Sequence, residues 1–460
     1  MTSASWRVGA VDRLKPAPAL RPVRPRVAII SSSFWPEQTG VAQTVTEFAM
    51  YLARHGFQTE VVTAMPFYPG WSIWPDYRGR LHLTETHEGL TISRSWHFVR
   101  PQLGTMVRLL HELTLCGTAA GKMVSAIRRA DVAYIVSPPL SVAFLAIHVA
   151  KIFRVPRILC VKDVLPDAAI ELGMLKNRTM IAVSRWLARR AYALADEVHT
   201  LGEGMRRRIM REARSPEKIR VVSDTIDAHE LAPVPFAENE FRRRFVPDGV
   251  FAVVHTGNMG KKQDLDILIR AAARLREEPA IHFYVFGDGA VKQEFLGRRD
   301  ALKLSNISLH PLQERWMVPH VLSGADVLLV SQLAEVVDIA VPSKLLTALG
   351  AGAMILAACA RDSETARIVE ESHGGIVVPA GDDDVLAREI ERVRAGAINI
   401  SGFRARAREY AVRVFDRDAV YGPVLDSITR MASPRRADPG YGPSDGDVPD
   451  GDLIRESYER

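Results

Sequence analysis

The chain has 460 residues, 47% of them hydrophobic and 25% charged, with a formal net charge of +6. That length is too great for one ordinary core and predicts two domains of similar size; the composition is that of a soluble globular protein, which excludes a low-complexity or fibrous one. Cys116, Cys160 and Cys359 are odd in number, widely spaced and form no CxxC pair, which points to a reducing compartment and argues against structural zinc.

Residues 1–25 form a basic, proline-bearing leader that is expected to be disordered. It lacks the apolar stretch of a secretory signal, so the reading is a cytoplasmic protein. No window reaches the roughly 18 uninterrupted apolar residues of a membrane span. From Arg26 the runs "RVAIISS", "TEVVTA", "LTISRSW", "VAYIVS", "RILCV" and "EVHTL" read as strands, separated mostly by helical patterns such as Val41–His55 and Thr105–Arg129. Apolar strands alternating with helices predict a parallel sheet covered on both faces. This first domain spans 26–224, and 225–245 is expected as a linker.

The alternation restarts over 246–400 with "FAVVHTG", "IHFYVFG", "ISLHP", "DVLLVS", "MILAA" and "GGIVVP", and helices are expected from near Gln263, Val291, Arg315, Ser343, Ser363 and Asp382. Residues 401–432 are Arg-rich and helical, with the option of crossing back to the first domain. Residues 433–460 form an acidic Pro/Gly/Asp-rich tail, expected to be disordered. The fold class is therefore α/β: two doubly wound Rossmann-like domains with a cleft between them. Ligands of such sheets bind beyond the carboxyl ends of the strands, which directs attention to four loops.

The first, Pro36–Gly40, holds Pro36, Glu37, Thr39 and Gly40 before a helix. It reads equally as a simple turn or as a close approach to an anion at a helix N-terminus. The second, "HTGNMGKKQDL", places Gly257, Asn258, Gly260, Lys261 and Lys262 where a helix should begin. It suits a diphosphate cradle, against a solvated lysine pair. The third, Gly287-Asp288-Gly289, is a tight turn or a ligand loop, with Lys292 able to point into the cleft. The fourth, Pro342-Ser343-Lys344, combines a helix start with a cation, against an ordinary cap. Asp163 and Asp167 in "VKDVLPD" follow another strand; a carboxylate there either positions a hydroxyl, accepts its proton, or caps a helix.

Taken together, "PEQTGVAQTVTEFAMYLARHGFQTEVVTAMPFYPGW", "VKDVLPDAAIELGML", "VVHTGNMGKKQDLDILIRAA", "VFGDG" and "VPSKLLTALGAGAMILA" resemble the GT-B glycosyltransferases of the retaining family GT4, in particular bacterial enzymes of the colanic-acid type. The resemblance covers roughly Arg26 to Met431. It implies a nucleotide-diphosphate sugar donor (UDP- or GDP-linked) held by the second domain and an acceptor held by the first. Transfer would occur near Gly40 and Asp163, with no bound metal or other cofactor. Donor contacts would fall on the residues of the second, third and fourth loops and on Thr347, and acceptor contacts on Pro36, Glu37, Thr39 and Asp167. The chain departs from the family's Glu-x7-Glu pair, whose positions match Ile339 and Thr347, with Glu335 or Asp338 as substitutes. The Arg and Lys usual in the glycine-asparagine loop fall on Asn258 and Gln263.

The resemblance further implies a lipid-linked saccharide acceptor. The basic, apolar stretches "RPQLGTMVRLLHELTLCGTAAGKMVSAIRRA" and "SRWLARRAYALA", with Trp186, could lie on the inner face of the plasma membrane. A sheet-covering role is the competing reading. Competing functions are a nucleotide-sugar 2-epimerase and a non-catalytic nucleotide-binding subunit. Nucleic acid is not expected, because the positive charge is scattered.

Overall fold

The computed structural model describes residues 24–38, 40–101, 104–171, 175–213, 215–260, 262–335 and 343–436. Runs such as RVAII, VAYIVS and RILCV present apolar side chains to both faces, so they can be buried only in a sheet covered on both sides. They form the centre of the first sheet. Its strands are β1 (Arg26–Ile30), β2 (Gln58–Ala64), β3 (His82–His87), β4 (Leu90–Ser95), β5 (Val132–Ser137), β6 (Arg157–Val161), β7 (Glu197–Thr200) and β8 (Ile219–Val221). They lie in the order β3-β4-β2-β1-β5-β6-β7-β8. All pairs are parallel except β3 with β4, a hairpin closed by Glu88 and Gly89, both at positive φ.

The helices of this half are α1 (Val41–Arg54), α2 (Thr105–Arg129), α3 (Leu140–Ile152), α4 (Asp167–Glu171), α5 (Arg178–Leu194) and α6 (Glu203–Glu212). The two-residue period of β1 divides them between two layers. Ala28 and Ile30 pack with α2, α3, α5 and α6, whereas Val27 and Ile29 pack with α1 and a helix from the chain's C-terminal end.

The second sheet is entirely parallel. It comprises β9 (Phe251–Asn258), β10 (Ile281–Asp288), β11 (Ile307–His310), β12 (Val327–Ser331), β13 (Ile355–Cys359) and β14 (Gly375–Pro379), in the order β11-β10-β9-β12-β13-β14. Its helices are α7 (Glu240–Phe245), α8 (Asp266–Arg274), α9 (Lys292–Ala301), α10 (Val318–Gly324), α11 (Ser343–Gly350), α12 (Glu364–Ser372), α13 (Asp383–Arg394) and α14 (Ile400–Phe415), followed by α15 (Arg417–Arg436).

The segment 225–245, expected as a linker, is not a free tether. Ile226 and Leu231 are buried in the second core, and α7 drives Phe241 edge-on against Tyr284 and Phe286, at 5.5 and 5.8 Å. The apolar side chains among its prolines and polar residues explain the difference: burying a large one contributes about 1.5–3 kcal/mol. α14 packs in the second core, and α15 returns to the first sheet. There Tyr421, Val424, Leu425 and Ile428 are buried against α1, and Tyr51 Oη donates to Asp418 at 2.8 Å.

A second cross-link joins the halves. α6 has no side-chain cap of its own. Its first N–H groups, those of Glu203 and Gly204, donate instead to the two carboxylate oxygens of Glu364 in α12, at 3.2 and 3.1 Å. A Cβ on Gly202 would stand 2.7 Å from Glu364 Oε1, so glycine is needed for this approach. Arg367 pairs with the same carboxylate and with Glu371.

Candidate active site

The loops beyond β9, β10 and β12 lie side by side at one edge of the second sheet. Lys344, in the first turn of α11, reaches back over Gly257, where a Cβ would touch its Cε at 3.4 Å. Gly257 has φ 113°, a backbone conformation that calls for glycine. Lys344 Nζ donates to Gln263 Oε1 at 2.8 Å and lies 3.4 Å from His255 Nε2. His255 is buried in β9 with Nδ1 3.1 Å from the Leu329 carbonyl, so Nδ1 carries the proton and Nε2 accepts. Burial, reinforced by Lys344, holds this imidazole well below its ordinary pKa and neutral. Burial also holds the Lys344 ammonium down to about 8.

Buried at the carboxyl end of β12 are Ser331 Oγ and Gln332 Oε1, which have no hydrogen-bond partner among the described residues. Buried polar atoms are seldom left without partners unless a ligand or water meets them. A cation and two unsatisfied polar groups thus stand around the ends of β9 and β12.

The neighbouring loops are tightly fitted. Gly257 and Asn258 pair in register with Gly287 and Asp288. A Cβ on Gly287 would come within 2.6 Å of the Gly257 carbonyl oxygen, and one on Gly289 within 2.6 Å of Asn258 Oδ1. These two glycines therefore serve the contact between loops. Asn258 and Asp288 are exposed, and Gly260 is half-buried. Lys292 does not point freely into the cleft, because its ammonium bonds Asp288 Oδ2 at 2.9 Å. Ser343 is exposed, and the Thr347 hydroxyl donates back to the Ser343 and Lys344 carbonyls at 3.4 and 3.1 Å.

The expectation of a helix N-terminus beside the lysine pair is overturned. α8 begins at Asp266, past Lys262, and Asp264 caps it by accepting from Ile267 N at 3.2 Å. The Asp264 carboxylate thus occupies one of the N–H groups that a phosphate would need. Thr39, Lys261 and Pro342, like Asp338 and Ile339, lie outside the described residues.

Across the cleft, Asp163 follows β6 and is half-buried. Burial lifts its carboxyl above the usual range while Lys262, from the opposite domain, pulls it down. Lys162 Nζ bonds Asp224 Oδ1 at 2.7 Å in a largely buried pair. Asp167 opens α4, 3.6 Å from Arg185. Gly40 is exposed at the start of α1, at φ 58°, and α1 has no side-chain cap. Pro36 is half-buried in the same loop. Glu37 is buried and its Oε1 accepts from the N–H groups of Phe67 and Tyr68, both at 2.7 Å.

Sequence reading passed over His255, Ser331, Gln332 and Glu364. His255, Ser331 and Gln332 sit at or just past the ends of "VVHTG" and "LLVS", a positional signal that was available. Gln263, where the resemblance puts a cation, instead holds the Lys344 cation in place.

Two family models match the chain, a glycosyl transferase 4-like domain over residues 39–225 and a group 1 glycosyl transferase domain over residues 251–395. WcaI of Escherichia coli K12, assigned to colanic acid biosynthesis as a glycosyl transferase, is 26% identical over 413 residues, covering 88% of this chain and 99% of that protein. A GDP-mannose-dependent alpha-mannosyltransferase of Mycobacterium tuberculosis is 27% identical over 267 residues, covering 57% of this chain and 63% of that one. Among solved structures, Anabaena HepE in complex with UDP and glucose superposes with TM-score 0.63 at 15% identity, covering 90% of this chain and 99% of that one. WaaG, a glycosyltransferase involved in lipopolysaccharide biosynthesis, superposes with TM-score 0.60 at 14% identity, covering 88% and 99%. These two likenesses establish the fold. With both halves matched by glycosyltransferase models and the full length matched by such a relative, the chain belongs to the GT4-type, group 1 glycosyltransferases of GT-B fold.

Proposed function

We propose that the protein moves a glycosyl residue from a UDP- or GDP-sugar to a lipid-linked saccharide in bacterial exopolysaccharide, capsule or O-antigen assembly. The observation that carries this reading is Lys344, a half-buried ammonium over Gly257 at the end of β9, with Ser331 and Gln332 unsatisfied at the end of β12, the strand paired with β9. A diphosphate would supply a counter-charge in place of the hydration that burial has taken from this lysine. Relatives named for polysaccharide assembly and for a GDP-mannose donor, and a fold neighbour named for its complex with UDP, support the donor class.

The reaction is written with retention and without metal. The acceptor oxygen bonds the anomeric carbon as the bond to the diphosphate oxygen breaks, and the hydroxyl proton passes to the departing diphosphate. Lys344 and Lys262 stabilise the charge that develops there. Asp163 orients the acceptor hydroxyl.

Among the described residues no helix is long and apolar enough to cross a membrane. The first turns of α2 nevertheless expose Met106, Leu109, Leu110 and Leu113, and α5 exposes Val183 and Trp186 among Arg178, Arg185, Arg189 and Arg190. Both helices join the same layer through α3, and this pattern fits contact with an anionic lipid surface.

UDP or GDP should raise the melting temperature by mass action, and one matching nucleotide sugar should support transfer to a lipid-linked saccharide on anionic vesicles. A broad donor panel that gives neither a shift nor transfer would refute the proposal. Transfer that is indifferent to vesicles would remove the membrane part alone.

A further inference from the structure

Beyond β2 the chain runs "PFYPGWSIW", residues 66–74, with four aromatic rings in a protein that is only 7% aromatic. The loop is held from several directions. The Glu37 carboxylate takes the Phe67 and Tyr68 N–H groups. Ser72 N donates to the Phe67 carbonyl at 3.3 Å and Trp74 N to the Pro66 carbonyl at 3.0 Å. The Trp74 indole N–H donates to the Tyr68 carbonyl at 3.2 Å.

Trp71 is held at φ 49°, a conformation that a bulky residue adopts only when its surroundings impose it, and one that clusters at functional sites. Its ring meets Phe67 at 5.3 Å and His111 at 5.6 Å. Beneath lie His97 and His111, whose Nδ1 atoms are 2.9 Å apart. Burial holds them at about 3 and about 4, so this bed carries no charge at neutral pH.

Such an arrangement presents aromatic faces, with one guanidinium at its border: Arg78 donates to the Ile73 carbonyl at 3.0 Å and to Ser72 Oγ at 3.5 Å. Tyr68 is 42% exposed, and Trp71 and Trp74 are half-buried. A diphosphate does not use aromatic faces of this kind. A pyranose does: its C–H face stacks on a ring while its hydroxyls reach the polar rim. The place is also telling. β2 and β6 end on the same edge, separated by β1 and β5. At about 4.8 Å per strand that puts the loop roughly 14 Å from the strand of Asp163, farther than one sugar ring spans.

We propose that Tyr68, Trp71 and Trp74 form a subsite that stacks the inner sugar rings of a saccharide acceptor, with Glu37 as the positioning residue that fixes the loop. The inference rests on the transfer reading and adds where acceptor length is measured.

The test uses the full chain with octyl mono-, di- and trisaccharides of glucose, galactose and mannose, read by saturation-transfer NMR. Wild type should saturate the inner ring C–H protons of at least one di- or trisaccharide. Tyr68→Ala should lose that signal and weaken affinity about tenfold, and Tyr68→Phe should keep it. The melting shift given by UDP or GDP should be the same in all three proteins. Ring saturation that survives Tyr68→Ala overturns the proposal. So does saturation confined to the octyl chain, which would mark an apolar anchoring surface, and so does an absence of saccharide binding. Saccharide binding lost on Tyr68→Ala in a protein that no nucleotide shifts would instead sink the transfer reading while upholding the saccharide subsite.

Discussion

Lys344→Met is expected to lower kcat/KM for the donor by about 10²–10³-fold, the usual cost of removing a preorganised charge from a developing anion. The melting shift given by UDP or GDP should shrink with it. Methionine keeps the length of the side chain against Gly257, so a fall in activity with an unchanged unliganded melting temperature isolates the charge. Wild-type pH dependence gives a second reading of the same group. Burial holds Lys344 near 8 in the unliganded protein, below about 10.4 for a solvated lysine. Between those values the folded chain binds fewer protons than the unfolded one, so this group makes stability rise with pH. A bound diphosphate favours the ammonium and reverses that preference. Donor affinity should therefore fall as pH rises through 8, with proton uptake on binding visible by calorimetry in buffers of different ionisation enthalpy. A flat affinity from pH 7 to 9.5 would remove Lys344 from the diphosphate site.

Lys162→Ala should destabilise the fold by about 3–5 kcal/mol, because it strands the Asp224 carboxylate in a largely buried position. Burial disfavours the Lys162 ammonium, yet Asp224 overrides it and lifts the pKa well above the usual lysine value. For a domain of this size the loss corresponds to a fall in melting temperature on the order of 10 °C. Lys162→Met combined with Asp224→Asn should recover much of it, since removing both charges removes the stranded one. If the single variant melts within about 2 °C of wild type, the pair contributes little.

The strands of both sheet centres were legible because their apolar runs are continuous. β3 was not: its sequence HLTETH alternates polar residues on an antiparallel edge, and its pairing with β4 depends on the Glu88-Gly89 turn. β8 is three residues long and only Ile219 of it is buried. In the site, position beyond the strand ends found the right loops and picked out Lys344. It could not tell which cation would be seated, because Gln263 and His255 reach Lys344 only through the tertiary fold. The Lys261-Lys262 pair looked equal to it in sequence. Reading a helix start there failed because Asp264 and Asp266, farther along the same loop, set where α8 begins. The packing of Phe241 and the return of α15 likewise depend on partners more than forty residues away, beyond the reach of any local pattern.

The Glu364 carboxylate ties the motion of the two lobes to the ends of two helices. Any widening of the gap beyond the reach of one glutamate side chain bares the first two amides of α6 and costs roughly 0.5–2 kcal/mol, as for a lost helix cap. Arg367 stays with the glutamate, because both stand on α12. The glutamate thereby sets a threshold for opening: small breathing is free, and wider excursions are taxed at a point remote from the chemistry.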